Sequence, residues 1–197
     1  MAANFLKFLS TDATRQAQQQ YYGAVSSPSG MPARDALTPE EIEFIHARDS
    51  FYFATVTGGG WPYVQHRGGR PGFLRAVDAQ HLAFADYRGN RQMLSVGNLA
   101  VNNRATLFLM DYPQRARLKI IGRARVEDAR AHPGLSDRFA EPGARRLVER
   151  IFFIEVDSFD WNCSQHITPR YTLAEIEELT APLRERIAEL ERALAKK

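Results

Sequence analysis

The chain has a single cysteine in 197 residues. A lone thiol closes no internal disulfide, so the fold does not depend on an oxidising compartment. There is no Gly-x-Gly-x-x-Gly run and no Walker loop, which excludes a Rossmann-bound dinucleotide and a P-loop nucleotide. The histidines His46, His66, His81, His132 and His166 are scattered and lack the spacing of a metal site. No apolar run is long enough to span a membrane, and Met1-Ala-Ala-Asn-Phe-Leu-Lys-Phe-Leu9 is too short for a signal peptide; a cytoplasmic protein is expected. Charge of one sign is scarce as well: 26 Lys and Arg against 23 Asp and Glu leave +3. Interspersed in this way, the charges do not form the basic face that nucleic acid requires. What remains is ordinary globular material, 44% apolar and 25% charged. The length suffices for one domain with a substantial core plus helical extensions.

Three regions follow from pattern. Residues 1–37 read as a Gln-rich helical arm ending at Gly23, then a Ser/Pro/Gly linker from Val25 to Ala36. Thr38-Pro-Glu-Glu41 starts a helix with a capping box. From Phe51 the period changes to that of strands: Phe51–Thr57, Trp61–Gln65 after Gly58-Gly-Gly60, Gly72–Val77, His81–Ala85, Arg104–Met110, Arg115–Val126 and Ile151–Val156. A helix capped by Asn90 is expected over Arg91–Gly97, and helical tendency around Ala144–Arg150. Six or so strands with short turns argue for an antiparallel barrel over residues 38–170. Residues 171–197 form an amphipathic helix: Thr172-Leu-Ala-Glu175 is a second capping box, and Leu173, Ile176, Leu179, Leu183, Ile187, Leu190 and Leu194 recur at steps of three and four. Pro182 is expected to kink or restart it. This seam needs a partner, either its own domain or another subunit.

The chemistry concentrates in two places. Asp160-Trp-Asn-Cys-Ser-Gln-His-Ile-Thr-Pro-Arg170 puts an indole, amides, an imidazole and a guanidinium between a strand and a helix. A planar heteroaromatic ligand uses such a set: a face to stack on, an edge reader and a fixed positive charge. Gln165 suits a pyrimidine edge, and His166 a ring carbonyl. Cys163 has no base nearby and reads as a small buried side chain. Upstream, Asp86-Tyr-Arg-Gly-Asn-Arg-Gln92 has the donors of a phosphate site, with Arg91 at a helix start after a Gly-Asn turn. Arg70, Arg75, Arg88 and Lys119 add positive charge beside strands, and His66 is a candidate for the substrate side.

Arg70-Pro-Gly-Phe-Leu-Arg75, Leu82-Ala-Phe-Ala-Asp86, Gly89-Asn-Arg-Gln92 and a strand ending at Gly122 before Arg-Ala-Arg-Val126 occur in that order. Together they resemble the FMN-binding split barrel of the pyridoxamine 5′-phosphate oxidase-like superfamily, over roughly residues 38–170. The resemblance implies a mainly β fold with flanking helices, a six-stranded antiparallel split barrel of the FMN-binding type. It implies FMN as cofactor, with Arg70 and Phe73 along the flavin, Arg75 reaching its phosphate, and Asp86 beside the ribityl chain or ring edge. Gly89, Asn90, Arg91 and Gln92 would hold phosphate. It implies a homodimer with flavin at the interface, where Trp161, Gln165, His166 and Arg170 come from the second subunit. The segment from Trp161 to Arg170 does not match the Arg-x-His arrangement by which pyridoxamine 5′-phosphate oxidase holds its vitamin substrate, so the resemblance does not extend to vitamin B6 oxidation. The function expected is an FMN-dependent oxidoreductase drawing electrons from NADH or NADPH. The alternatives are a flavin-binding or sensing protein without turnover, or a split barrel holding haem or a deazaflavin.

Overall fold

The computed structural model describes residues 3–26, 28–161 and 165–195. Its elements run α1 (Ala3–Leu9), α2 (Asp12–Tyr22), α3 (Pro39–His46), β1 (Ser50–Val56), β2 (Pro62–Gly68), β3 (Arg75–Asp78), β4 (His81–Tyr87), α4 (Leu94–Val101), β5 (Arg104–Asp111), β6 (Ala116–Asp128), α5 (Pro133–Phe139), a 3-10 turn (Arg145–Leu147), β7 (Val148–Trp161) and α6 (Leu173–Leu194). Two compact units result: Met1–Met110 with Arg117–Cys163, and Asp111–Ala116 with Ser164–Lys197.

The first unit is built on one sheet in the order β2-β1-β5-β6-β7-β4-β3, in which β1 with β2, β1 with β5, β3 with β4, β4 with β7 and β6 with β7 pair antiparallel. In place of the expected six-stranded antiparallel split barrel, the sheet has seven strands and does not close. The short edge strand β3 pairs only with β4, through a register shift between Ala76 and Asp78. Between β2 and β3 the chain turns inward to bury Phe73 and Leu74, so no backbone ladder joins the two edges. The sheet still rolls far enough for β2 to meet β4 through side chains, Arg67 against Asp86.

Alternation along the strands supplies the core. On β5, Ala105, Leu107 and Leu109 are buried while their neighbours are not. Phe51, Phe53, Phe84 and Phe152 are almost wholly buried, and Phe84 stacks on Phe152 at 4.8 Å. Each contributes about 1.5–3 kcal/mol of burial. Between β6 and β7 the register shifts at Ile121/Gly122, leaving Asp157 as the extra residue of a bulge. Gly122 is required there, since a Cβ would lie 2.3 Å from the Glu155 carbonyl oxygen.

The expected single N-terminal helix is two, because Thr11 caps α2 with a capping box; Gly23 ends it in the left-handed region. The arm belongs to the first unit: Phe5 is buried, Asn4 donates to Asp35 at 2.7 Å, and Ser158 donates to the same carboxylate. In the second unit α6 runs unbroken through Pro182. The Thr180 hydroxyl does not cap a new helix but donates to the Ile176 carbonyl at 2.7 Å. Among the described residues, no helix is long and apolar enough to cross a membrane, and no group of His, Cys, Asp and Glu is placed to hold a metal ion.

Candidate functional site

The roll of the sheet leaves a cleft of about 230 Å³ between β2, the end of β4, the following loop and the start of α4. Alternation along β2 turns Tyr63, Gln65 and Arg67 toward it and leaves Val64 and His66 exposed. Asp86, at the end of β4, is buried and takes two guanidiniums: Arg67 Nη1 donates to Oδ1 at 2.6 Å and Arg150 Nε to Oδ2 at 2.8 Å. Arg67 also lies over the rings of Phe84 and Phe152, at 5.6 and 5.1 Å. Its Nε is buried and has no hydrogen-bond partner. An unmet charged donor of this kind is costly unless a ligand takes it up.

The cleft floor continues through Gly89, Asn90, Arg91 and Gln92. The helix expected from Arg91 starts at Leu94 instead, with Met93 before it in the left-handed region. Arg91 is itself left-handed at φ 61°, and the Asn90 side chain accepts from Gln92 N at 3.2 Å. The residues after Gly89 therefore form a side-chain-locked turn rather than a helical one. Met93 gives α4 no side-chain cap, and Leu94, Ser95 and Val96 of its first turn line the cleft. Ser95 donates to Gln65 at 3.0 Å and Asn98 to Thr55 at 2.9 Å, which fixes α4 against β1 and β2. Three guanidiniums (Arg67, Arg91, Arg150) thus line the cleft against one carboxylate, Asp86; Glu149 takes a second nitrogen of Arg150 at 2.9 Å. With Glu149 counted, one positive charge is left in excess.

Of the residues singled out from sequence, the cleft brings together Asp86, Gly89, Asn90, Arg91 and Gln92. It does not include Arg70, Phe73 or Arg75. The Arg70 amide donates to Glu141 at 2.8 Å, Phe73 stacks in the core on Phe51, and Arg75 donates to the Arg138 carbonyl at 2.6 Å, tying β3 to α5. Trp161 stands at the far end of β7 from Arg150. Ten strand residues lie between the two, a span of roughly 35 Å along the strand. Its indole packs edge-on to Phe44 at 4.7 Å and donates to buried Glu41 at 2.7 Å. Burial raises the Glu41 carboxyl pKa, but hydrogen bonds from Thr38 and Trp161 outweigh it and hold the group below its ordinary value. Gln165, His166 and Arg170 belong to the second unit, where His166 is left-handed at φ 65° and Arg170 covers the Tyr112 ring at 5.0 Å. Asn162, Cys163 and Ser164 lie outside the described residues.

Sequence reasoning missed Arg67, Arg150, Gln65 and Ser95. The signal for the β2 residues was the period-two pattern itself, read one residue out of phase at His66. That ring points the other way, edge-on to Tyr52 at 5.8 Å.

A rolled antiparallel sheet with an arginine-lined cleft at its open seam defines a β protein of split-barrel type. Residues 37–150, more than half of the chain, match the family model described as pyridoxamine 5′-phosphate oxidase, and the chain belongs to that family. Among solved structures it is similar to a single-residue variant of HupZ of Group A Streptococcus, with 15% identity and TM-score 0.50, covering 64% of this chain and 99% of that one. It is also similar to a putative pyridoxamine 5′-phosphate oxidase of Lactobacillus delbrueckii, with 18% identity and TM-score 0.49 over 64% and 93% of the two chains. The heme storage protein HutZ of Vibrio cholerae matches at 18% identity and TM-score 0.43, over 64% and 94%. None of the curated proteins compared with the chain matches it.

Proposed function

We propose that this protein binds FMN with the phosphate in the Arg67–Arg91–Arg150 cleft, and that it is an oxidoreductase using NADH or NADPH as electron donor. The observation that carries the reading is the triad in which buried Asp86 holds the partly buried Arg67 and Arg150, with Arg67 Nε unmet and the start of α4 beside it without a side-chain cap. Asp86 pins both guanidiniums, so their remaining donors are set for an anion before it arrives. Asn90 and Gln92 hold the turn that presents Arg91, and Gln65 and Ser95 offer neutral polar groups beside it. Bound flavin would supply the hydride-transfer chemistry; the protein supplies binding, orientation and electrostatics. Because Trp161 stands at the other end of β7, the reading requires a homodimer in which a second copy carries Trp161, Gln165, His166 and Arg170 to the ring end of the ligand.

The absorption spectrum of the freshly purified chain, followed by an FMN titration, tests this. Flavin bands or saturable FMN uptake are expected, with affinity lowered roughly tenfold or more in Arg91→Ala. A chain that takes up no FMN overturns the reading, and a Soret band replaces flavin by haem. Bleaching of bound flavin by NADH or NADPH is expected if the protein turns over; bound flavin that neither donor reduces leaves a non-catalytic flavin-binding protein.

A further inference from the structure

Helix α6 carries seven residues that fall on a strict heptad: Leu173, Thr180, Ile187 and Leu194 at a, and Ile176, Leu183 and Leu190 at d. No residue of α6 is buried. The six apolar members of the seam are 43–81% exposed, as is Leu179 (63%), which flanks it. A 22-residue helix with so bare an apolar stripe gains little by standing alone in water. The one polar seam residue, Thr180, already commits its hydroxyl to the Ile176 carbonyl, so it presents a methyl rather than an unmet donor. Pro182 falls at c, outside the seam.

We infer that α6 pairs with α6 of a second copy of this chain as a parallel, in-register two-stranded coiled coil. Charge decides the partner and the direction. In a parallel pair, Arg186 at g faces Glu191 at e of the other copy, twice by symmetry, and no like charges meet across the seam. In a fully overlapped antiparallel pair, Arg184 faces Arg184 and Arg186 faces Arg186 about the two-fold axis, four guanidiniums at the centre of the helix. At the centre of the helix, Ile187 at a between Leu183 and Leu190 at d is the arrangement that favours two strands, against Leu173 at a with Ile176 at d in the first turn. The inference is independent of what the cleft binds.

Cysteine cross-linking of the full chain tests it, in a Cys163→Ser background. Ile176→Cys is expected to form an interchain disulfide with itself under mild oxidation, since parallel register places the two copies side by side. In the antiparallel alternative residue 176 lies beside residue 194, so only a mixture of Ile176→Cys and Leu194→Cys chains would cross-link. That result overturns the inference, as does a cross-linking level no higher than at an exposed f position such as Glu185→Cys. Reversal of Arg186→Glu or Glu191→Arg alone is expected to weaken cross-linking roughly tenfold at limiting concentration, and the double exchange to restore it. Reversals without coupling overturn the assigned register. A cross-linked species with the solution mass of four chains overturns the two-stranded state.

Discussion

At the residue scale, Asp86 is the point on which the cleft turns. It is buried with two arginines that are themselves 17% and 14% exposed. Removing it as Asp86→Ala leaves two desolvated cations facing each other, and about 3–5 kcal/mol of stability is expected to be lost in urea denaturation. Inorganic phosphate should then recover more stability in the variant than in the parent, because it binds the folded state where the carboxylate stood. Equal phosphate effects on both proteins would contradict an anion site at this position. That Asp86 and Gly89–Gln92 share one site was legible because those residues are nearly contiguous in the chain. Arg67 and Arg150 were not legible, since nothing local says that β2 and the start of β7 converge. Only the roll of the whole sheet brings them to one carboxylate.

At the scale of elements, sequence reasoning worked where local chemistry decides. The capping boxes at Thr38 and Thr172 are in place, and the strands with aromatic or β-branched alternation form where expected. It fell short on β7, whose fourteen residues extend past the apolar run Ile151–Val156 at both ends. The polar additions Glu149, Arg150, Asp157, Ser158 and Asp160 are held in the strand by ladders to β4 and β6 and by the bulge, not by their own propensity. Helix α3 is bound to the end of that strand through Glu41. Its folded pKa lies below the ordinary value near 4.5, so the stability it contributes is present above pH 4.5 and is lost as pH falls through the folded value. Glu41→Gln should therefore flatten the acid limb of a stability–pH profile. Trp161→Phe should cost about 1 kcal/mol near neutrality by removing the indole donor. At the bulge, Gly122→Ala is expected to lower the thermal midpoint, because its methyl meets backbone rather than a yielding side chain.

At the scale of the molecule, family membership sets the fold, and the cleft sets the chemistry within it. The length of β7 carries a genetic consequence. If FMN sits in the Arg67 cleft under Trp161 of a second copy, each binding site is assembled from halves encoded by two chains. Co-expression of Arg67→Met and Trp161→Ala chains would then give mixed pairs with one site doubly damaged and one wholly wild-type. Two null alleles would complement each other, and flavin content measured on the isolated mixed pair would approach half that of the parent.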